Sequence, residues 1–166
     1  TKSHPASIIT PNILINTNTL EAARIAGVER YLFTSTANVY PSDISRPLRE
    51  EDFLKGQPAS EKSSYAWTKI LGELQTKAYH EEYGMRIAVV RPFNIYGPGD
   101  RFEGEGIHVI PSLIKRALNR EKPFRVWGLG SAVRSFIYAK DVVEGMVKAI
   151  EKYPTGDAIN LGPADG

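Results

Sequence analysis

Cysteine is absent from the 166 residues of this sequence. Disulfide bonds, thiolate catalysis and zinc–sulfur sites are therefore excluded. We expect a reducing, cytoplasmic location, because proteins of the cytosol fold without disulfide bonds. Long hydrophobic runs are absent as well, since no apolar stretch approaches the roughly 20 residues that a membrane helix needs. No membrane partner is expected.

An excess of charge of either sign is also lacking. Lys and Arg together number 21 against 19 Asp and Glu, which gives a net charge of +2. This balance does not favour a nucleic-acid partner. Hydrophobic residues make up 42% of the sequence, which is enough for a core, and no repeat or shift of composition divides it. Residues 1–166 are therefore predicted to form a single unit.

Helical and strand-like patterns alternate along the sequence. Helices are predicted at 8–26, 63–83, 109–119 and 141–153, and strands at 30–35, 86–90, 124–127, 135–138 and 158–161. The Pro- and Gly-rich stretches 41–62 and 94–106 are predicted to be long ordered loops, a type of loop that usually serves a function. The alternation predicts an α/β fold with a mainly parallel sheet.

One pair of side chains stands out on the second predicted helix. Tyr65 and Lys69 are four residues apart and so share a helix face, where the phenol and the ammonium group can meet one ligand. A phenol has a pKa of about 10, and a nearby positive charge lowers that pKa by stabilising the phenolate. The pair is therefore a candidate acid/base device, although the same spacing is common on ordinary exposed helix faces.

Hydroxyl groups cluster where the preceding predicted strand ends. Ser35 and Thr36 lie at the carboxyl end of this strand, which is where open α/β sheets bind their ligands. The Thr36 hydroxyl could bind the same substrate oxygen that Tyr65 deprotonates. The alternative is a Ser/Thr turn without any ligand.

The order of these residues resembles the Ser/Thr–Tyr–Lys triad of the extended short-chain dehydrogenases/reductases, in the NAD-dependent epimerase/dehydratase family. Further segments that resemble motifs of that family follow in the same order along nearly the whole sequence: Leu20–Arg24, Arg91–Gly99, Trp127–Gly130, Arg134–Tyr138 and Asn160–Gly162. The resemblance implies an incomplete Rossmann-type sheet, joined to the substrate-binding part of such an enzyme.

The resemblance also implies a role for each candidate site residue. Thr36 orients the sugar hydroxyl, Tyr65 is the acid/base, and Lys69 lowers the Tyr65 pKa and holds the nicotinamide ribose. The cofactor is NAD, with NADP as the alternative, the substrate is a nucleotide sugar, and no metal is implied. The resemblance implies that the cofactor is contacted by Ser35, Tyr65, Lys69 and Pro92. It implies that the substrate is contacted by Asn38, Asn94, His108 and Arg134.

One feature of the family is not found in this sequence. No strand leads through a glycine-rich turn into a helix, which is the unit that binds NAD in the family. Because the sequence also begins at Thr1 rather than at methionine, we expect the N-terminal NAD-binding segment to be missing and the isolated chain to be inactive. The complete protein is expected to be a homodimer. The second predicted helix would supply apolar contacts that could equally face the chain's own sheet: Trp67, Ile70, Leu71 and Leu74.

The two positions after Thr36 bear on the type of reaction. Sugar-nucleotide dehydratases of the family have Asp-Glu there, and GDP-sugar epimerases of the fucose-synthase type have a Cys that pairs with a His. This sequence has Ala37 and Asn38 instead, but it retains a matching His108. Because a 4-epimerase needs only the triad, the favoured prediction is a nucleotide-sugar epimerase acting at C4. The alternatives are a GDP-sugar epimerase/reductase that uses His108, and a non-catalytic binding or scaffold protein on the same fold.

Overall fold

Helices and strands alternate in the computed structural model, which describes residues 4–58, 64–104, 106–126, 128, 130 and 133–163. The helices are α1 (Ala6–Ile25), α2 (Ser64–Tyr83), α3 (Val109–Leu118) and α4 (Ala139–Lys152). The strands are β1 (Tyr31–Thr34), β2 (Ile87–Pro92), β3 (Asn94–Tyr96), β4 (Phe136–Tyr138) and β5 (Thr155–Leu161). The predicted α/β class is confirmed. None of the helices in the described ranges is long and apolar enough to cross a membrane.

The named strands form two sheets, and neighbouring strands within each sheet are parallel. One sheet has the strand order β1-β2-β5, and the other consists of β3 and β4. Because parallel strands point the same way, the carboxyl ends of β1, β2 and β5 lie at one edge of the larger sheet. The mainly parallel sheet predicted from the sequence is thus confirmed.

The larger sheet is covered by helices on both faces. Ile87 and Val89 of β2 pack with Leu20 of α1 and with α2 on one side. Ala88 and Val90 of the same strand pack against α4 on the other side. A strand that is buried on both faces needs a continuous apolar run, which explains why β2 shows no polar alternation.

Helix α2 approaches strand β1 very closely at Gly72. A Cβ atom at this position would lie 2.2 Å from Cζ of Phe33, so only a residue without a side chain fits. This close approach brings the N-terminal half of α2, with Tyr65 and Lys69, next to the end of β1.

Two of the sequence predictions are wrong in the described ranges. Phe124–Val126 is not a strand, because these residues have no neighbouring strand to pair with and remain exposed; Trp127 lies outside the described residues. The predicted loop 94–106 begins with strand β3, which pairs with β4 more than forty residues later. The Gly- and Pro-rich composition that predicted a loop starts only at Gly97.

Candidate active site

A cavity of about 410 Å³ lies at the carboxyl ends of β1 and β2. It is bounded by the start of α2, by β3 and by the first turn of α3. Most of the site residues predicted from the sequence line this cavity: Ser35, Thr36, Asn38, Tyr65, Pro92, Asn94 and His108. A position beyond the carboxyl ends of parallel strands is where α/β sheets bind ligands. The structure therefore brings together residues that are more than seventy positions apart in the sequence.

The position of Thr36 is set by the turn that follows β1. Thr36 is in an extended conformation and precedes a short 3₁₀ turn at Ala37–Val39, and its Oγ1 accepts a hydrogen bond of 3.3 Å from the Asn38 N–H. Val39 and Tyr40 are buried and pack on Ile70 of α2, which fixes the turn against the helix. The Ser/Thr turn considered from the sequence is thus present, and it lies inside the cavity.

Tyr65 and Lys69 lie on one face of α2, as their spacing predicts. Lys69 Nζ lies 5.7 Å from the centre of the Tyr65 ring and 5.0 Å from the centre of the Phe33 ring. The ammonium group donates a hydrogen bond of 2.7 Å to the main-chain oxygen of Thr34, the last residue of β1. This bond holds Lys69 at the end of the strand that leads to Thr36.

Burial is the main influence on the pKa values of Tyr65 and Lys69 in this arrangement. Burial raises the pKa of the Tyr65 phenol above its ordinary value, and burial lowers the pKa of Lys69. The cause is the loss of water around each group, and the Lys69 ammonium group, which donates to the Thr34 oxygen, does not reverse the effect on the phenol. In this arrangement Tyr65 is a protonated phenol at neutral pH.

His108 precedes α3 and has a partner that the sequence did not reveal. His108 Nδ1 lies 3.1 Å from Oδ1 of Asp100, and both residues line the cavity. The His108 side chain is 72% exposed and the Asp100 side chain 17%. The signal in the sequence was the acidic residue directly after the turn Gly97-Pro98-Gly99. A carboxylate on Nδ1–H fixes the tautomer and leaves Nε2 available to a ligand.

Asn94 lies in β3 of the second sheet, and Arg134 lies in the segment that precedes β4. Asn94 Nδ2 donates a hydrogen bond of 2.8 Å to the Ser135 oxygen and so links β3 to the segment before β4. Arg134 is exposed, donates to the oxygen of its neighbour Val133 over 2.8 Å, and is not among the residues that line the cavity. Of the residues predicted to bind substrate, Arg134 is thus the one that the structure leaves outside.

The chain is similar in sequence to curated proteins. The GDP-L-fucose synthase of Sinorhizobium fredii is 33% identical over 162 residues, which cover 95% of this chain and 52% of that protein. That of Escherichia coli is 32% identical over 153 residues, which cover 90% of this chain and 48% of that protein. The chain spans about half the length of the curated relatives it matches.

Solved structures also match the fold. The GDP-L-fucose synthetase of Naegleria fowleri bound to NADP has a TM-score of 0.85 at 26% identity, covering 98% of this chain and 55% of that one. The UDP-glucose 4-epimerase of Thermotoga maritima, determined with UDP-glucose, has a TM-score of 0.82 at 29% identity, covering 95% and 49%.

The match at the level of the family spans nearly the whole sequence. The sequence model described as the NAD dependent epimerase/dehydratase family matches residues 1–162. That range includes both strand ends of the cavity, the Tyr–Lys helix and His108. The chain belongs to the NAD dependent epimerase/dehydratase family and has the Rossmann-like fold of the extended short-chain dehydrogenases/reductases.

Proposed function

We propose that this site transfers the hydroxyl proton that must move when a hydride leaves or joins C4 of a nucleotide sugar. The observation that carries the proposal is that Thr36 and Tyr65 line one cavity while the Lys69 ammonium group lies beside the Tyr65 ring. The oxygen at C4 of the sugar would accept a hydrogen bond from the Thr36 hydroxyl and exchange its proton with the Tyr65 phenol. Proton transfer by a positioned side chain accelerates such reactions on the order of 10²- to 10⁴-fold.

The residues of the cavity fit the nicotinamide half of an NAD(P) cofactor. Ser35, Tyr65 and Pro92 line the cavity at the strand ends, whereas Lys69 lies about one helical turn beyond Tyr65 and is not among the lining residues. A glycine-rich turn that would hold the diphosphate is not found in this sequence. When bound, the cofactor supplies or removes the hydride. In our proposal Tyr65 holds the proton at its phenol oxygen, and Thr36 orients the sugar oxygen.

A 4-epimerase is the first form of this proposal. Such an enzyme oxidises C4 and reduces the ketone from the other face, so it needs no acid or base beyond the triad. The carboxamide of Asn38 lines the cavity and does not ionise, in agreement with this reaction. Similarity to the UDP-glucose 4-epimerase of Thermotoga maritima supports it.

A GDP-sugar epimerase/reductase is the second form, and a specific observation favours it. The Asp100–His108 pair faces the same cavity and offers an ionisable group besides Tyr65. Similarity to the GDP-L-fucose synthases supports this reading. The epimerisation would then depend on His108, and the reduction on Tyr65.

Assays of the full-length gene product separate the two forms. A 4-epimerase interconverts a UDP-hexose and its C4 epimer without net consumption of NAD, and replacement of His108 by Gln leaves most of that activity. An epimerase/reductase consumes NADPH with a GDP-4-keto sugar and incorporates deuterium from D₂O next to the ketone, and His108→Gln abolishes the incorporation. In both forms Tyr65→Phe lowers kcat by about 10²-fold or more.

A non-catalytic scaffold is the remaining alternative, and the same assays test it. A wild-type protein that binds a nucleotide sugar but turns over none of these substrates, and whose binding survives Tyr65→Phe, would replace the enzymatic proposal.

A homodimer is part of the same proposal. Ile70 is buried in the chain's own core, whereas Trp67, Leu71 and Leu74 are between 38% and 48% exposed. The structure thus divides the apolar residues of α2 between two surfaces. An exposed apolar stripe on a helix is typical of a contact with a second subunit. The absence of cysteine supports our proposal of a cytoplasmic location.

A further inference from the structure

A buried ion pair adjoins the cavity and has no part in the proposed proton transfer. Glu73 and Arg91 are 5% and 3% exposed, and Arg91 Nη2 lies 2.6 Å from Glu73 Oε2. Arg91 Nε makes further contacts of 3.0 and 3.2 Å with the two carboxylate oxygens. Burial by itself lowers the pKa of Arg91, but the hydrogen bonds and charge of Glu73 outweigh it and raise that pKa above its ordinary value.

On the helix side, the pair is aligned with the acid/base residues. Glu73 follows Tyr65 by eight residues and Lys69 by four, so all three side chains project from one face of α2. Fixing the carboxylate of Glu73 therefore fixes the rotation and the height of the helix that presents the phenol. The spacing of Glu73 from Tyr65 and Lys69 is visible in the sequence, but the pairing of Glu73 with Arg91 is not.

On the sheet side, the pair holds both strand ends of the cavity. Arg91 directly precedes Pro92 at the carboxyl end of β2. Ser35, which directly precedes Thr36, donates a hydrogen bond from its hydroxyl to Glu73 Oε1. The Glu73 carboxylate on α2 is thus bound by the Ser35 hydroxyl at the end of β1 and by the Arg91 guanidinium group at the end of β2.

The rest of the guanidinium group extends the network to β5. Arg91 Nη1 donates to the Tyr40 hydroxyl over 2.8 Å and to the main-chain oxygen of Glu50 over 3.2 Å. The Tyr40 hydroxyl donates in turn to Oδ1 of Asn160 over 2.6 Å. A polar network with its members satisfied rigidifies the structure around it.

Stability alone is a weak explanation for such a pair. Replacing a buried ion pair by apolar side chains of similar volume is often neutral or stabilising, because the charges no longer need to be taken out of water. Directed, bidentate hydrogen bonds provide what apolar packing does not, which is a single geometry.

We propose that Glu73 and Arg91 are positioning residues that set the distance and angle between the Tyr65 phenol and the Thr36 hydroxyl by joining α2 to the carboxyl ends of β1 and β2. This inference rests on the proposed function. A displacement of about 1 Å in a reacting group costs on the order of 10²-fold in rate, so a small shift of α2 has a measurable effect on turnover.

The test compares two double variants of the full-length gene product. Glu73→Met/Arg91→Met removes both charges and keeps the apolar volume, and it is expected to lower kcat by about 10- to 100-fold. Its KM is expected to stay within about threefold of the wild-type value, since substrate contacts remain. The control is Lys77→Gln/Asp157→Asn, which removes an exposed ion pair of 2.6 Å that also ties α2 to β5. The control variant is expected to keep kcat within about twofold.

A second variant covers the case in which the apolar double variant does not fold. Arg91→Lys keeps a positive charge beside Glu73 but removes the forked guanidinium group that bonds both carboxylate oxygens, and it is expected to lower kcat by about threefold or more at unchanged KM. Thermal unfolding shows which variants are folded at the assay temperature.

Two results contradict the inference alone: a folded apolar double variant with wild-type kcat, or, where that variant is unfolded, an Arg91→Lys protein with wild-type kcat. A rise in KM at constant kcat would assign the pair to substrate binding instead. A wild-type protein that turns over no nucleotide sugar overturns the proposed function, and this inference with it.

Discussion

Replacement of Gly72 by Ala tests whether the close approach of α2 to β1 holds the site together. The new methyl group would lie 2.2 Å from Phe33 Cζ, so the ring edge has to withdraw by about 1.2 Å to regain an ordinary contact of 3.4 Å. Phe33 is 5% exposed and packs with Ile87 and Val89, which leaves the ring little room to move. Overpacking of this kind costs about 1–3 kcal/mol.

Two opposing terms decide the net effect of Gly72→Ala. The 2.2 Å contact places the overpacking cost in the upper part of its range, at about 2–3 kcal/mol. Alanine is favoured over glycine in a helix by about 1 kcal/mol, so we expect a net loss of about 1–2 kcal/mol in the free energy of unfolding. Urea unfolding of the full-length gene product measures this loss. Ala78→Gly, at an exposed position of the same helix, calibrates the helix-propensity term. Because the Phe33 ring also contacts Lys69 at 5.0 Å, kcat is expected to fall as well.

A double-mutant cycle identifies the clash as the cause. Phe33→Leu removes the ring atoms that the new methyl group meets and is expected to cost about 1–2 kcal/mol by itself. In the Gly72→Ala background the same change relieves the clash, so the two losses are expected to be less than additive by about 1 kcal/mol. The reasoning is refuted if Gly72→Ala is as stable as the wild type, or if the two losses simply add.

Two further predictions concern acid stability and assembly. Arg46 and the Arg49 N–H hold the pKa of Asp52 below its ordinary value of 3.8, so the stabilisation by this carboxylate is complete above that value and is lost as the pH falls below it. Urea unfolding should show a stability gap between wild type and Asp52→Asn that is constant above about pH 5 and narrows below about pH 4; a gap independent of pH would contradict this. If the complete protein is the proposed dimer, Leu71→Glu is expected to convert it into monomers in sedimentation velocity, whereas Leu118→Glu, at a 77% exposed position of α3, should leave it intact. Dimers that survive Leu71→Glu would place the subunit contact elsewhere.

Local patterns in the sequence predict the elements of this fold well. The spacing of apolar residues and the following Gly84 predict helix α2, and the apolar run before Pro92 predicts strand β2. The same patterns fail at Phe124–Val126, because a strand also needs a neighbour with free hydrogen-bonding groups. The presence of that neighbour depends on the tertiary fold.

The partners of the site residues are the part that the sequence could not supply. Lys69 bonds to the Thr34 oxygen thirty-five positions earlier, and Glu73 pairs with Arg91 eighteen positions later. Neither distance follows from helix or strand periodicity. Motif order can suggest that Tyr65 and Thr36 meet, but it says nothing about which buried charges hold them there.

Burial and the neighbouring ammonium group act in opposite directions on the pKa of Tyr65. The Tyr–Lys spacing predicts a phenol with a lowered pKa, which would act first as a base. In the structure burial raises the pKa of Tyr65, and Lys69 is bound to a main-chain oxygen instead of to the phenol. A protonated phenol is suited to donate its proton to a ketone oxygen at C4. The raised pKa of Tyr65 agrees with a phenol that is protonated when a ketone at C4 is reduced, a step that both proposed reactions share.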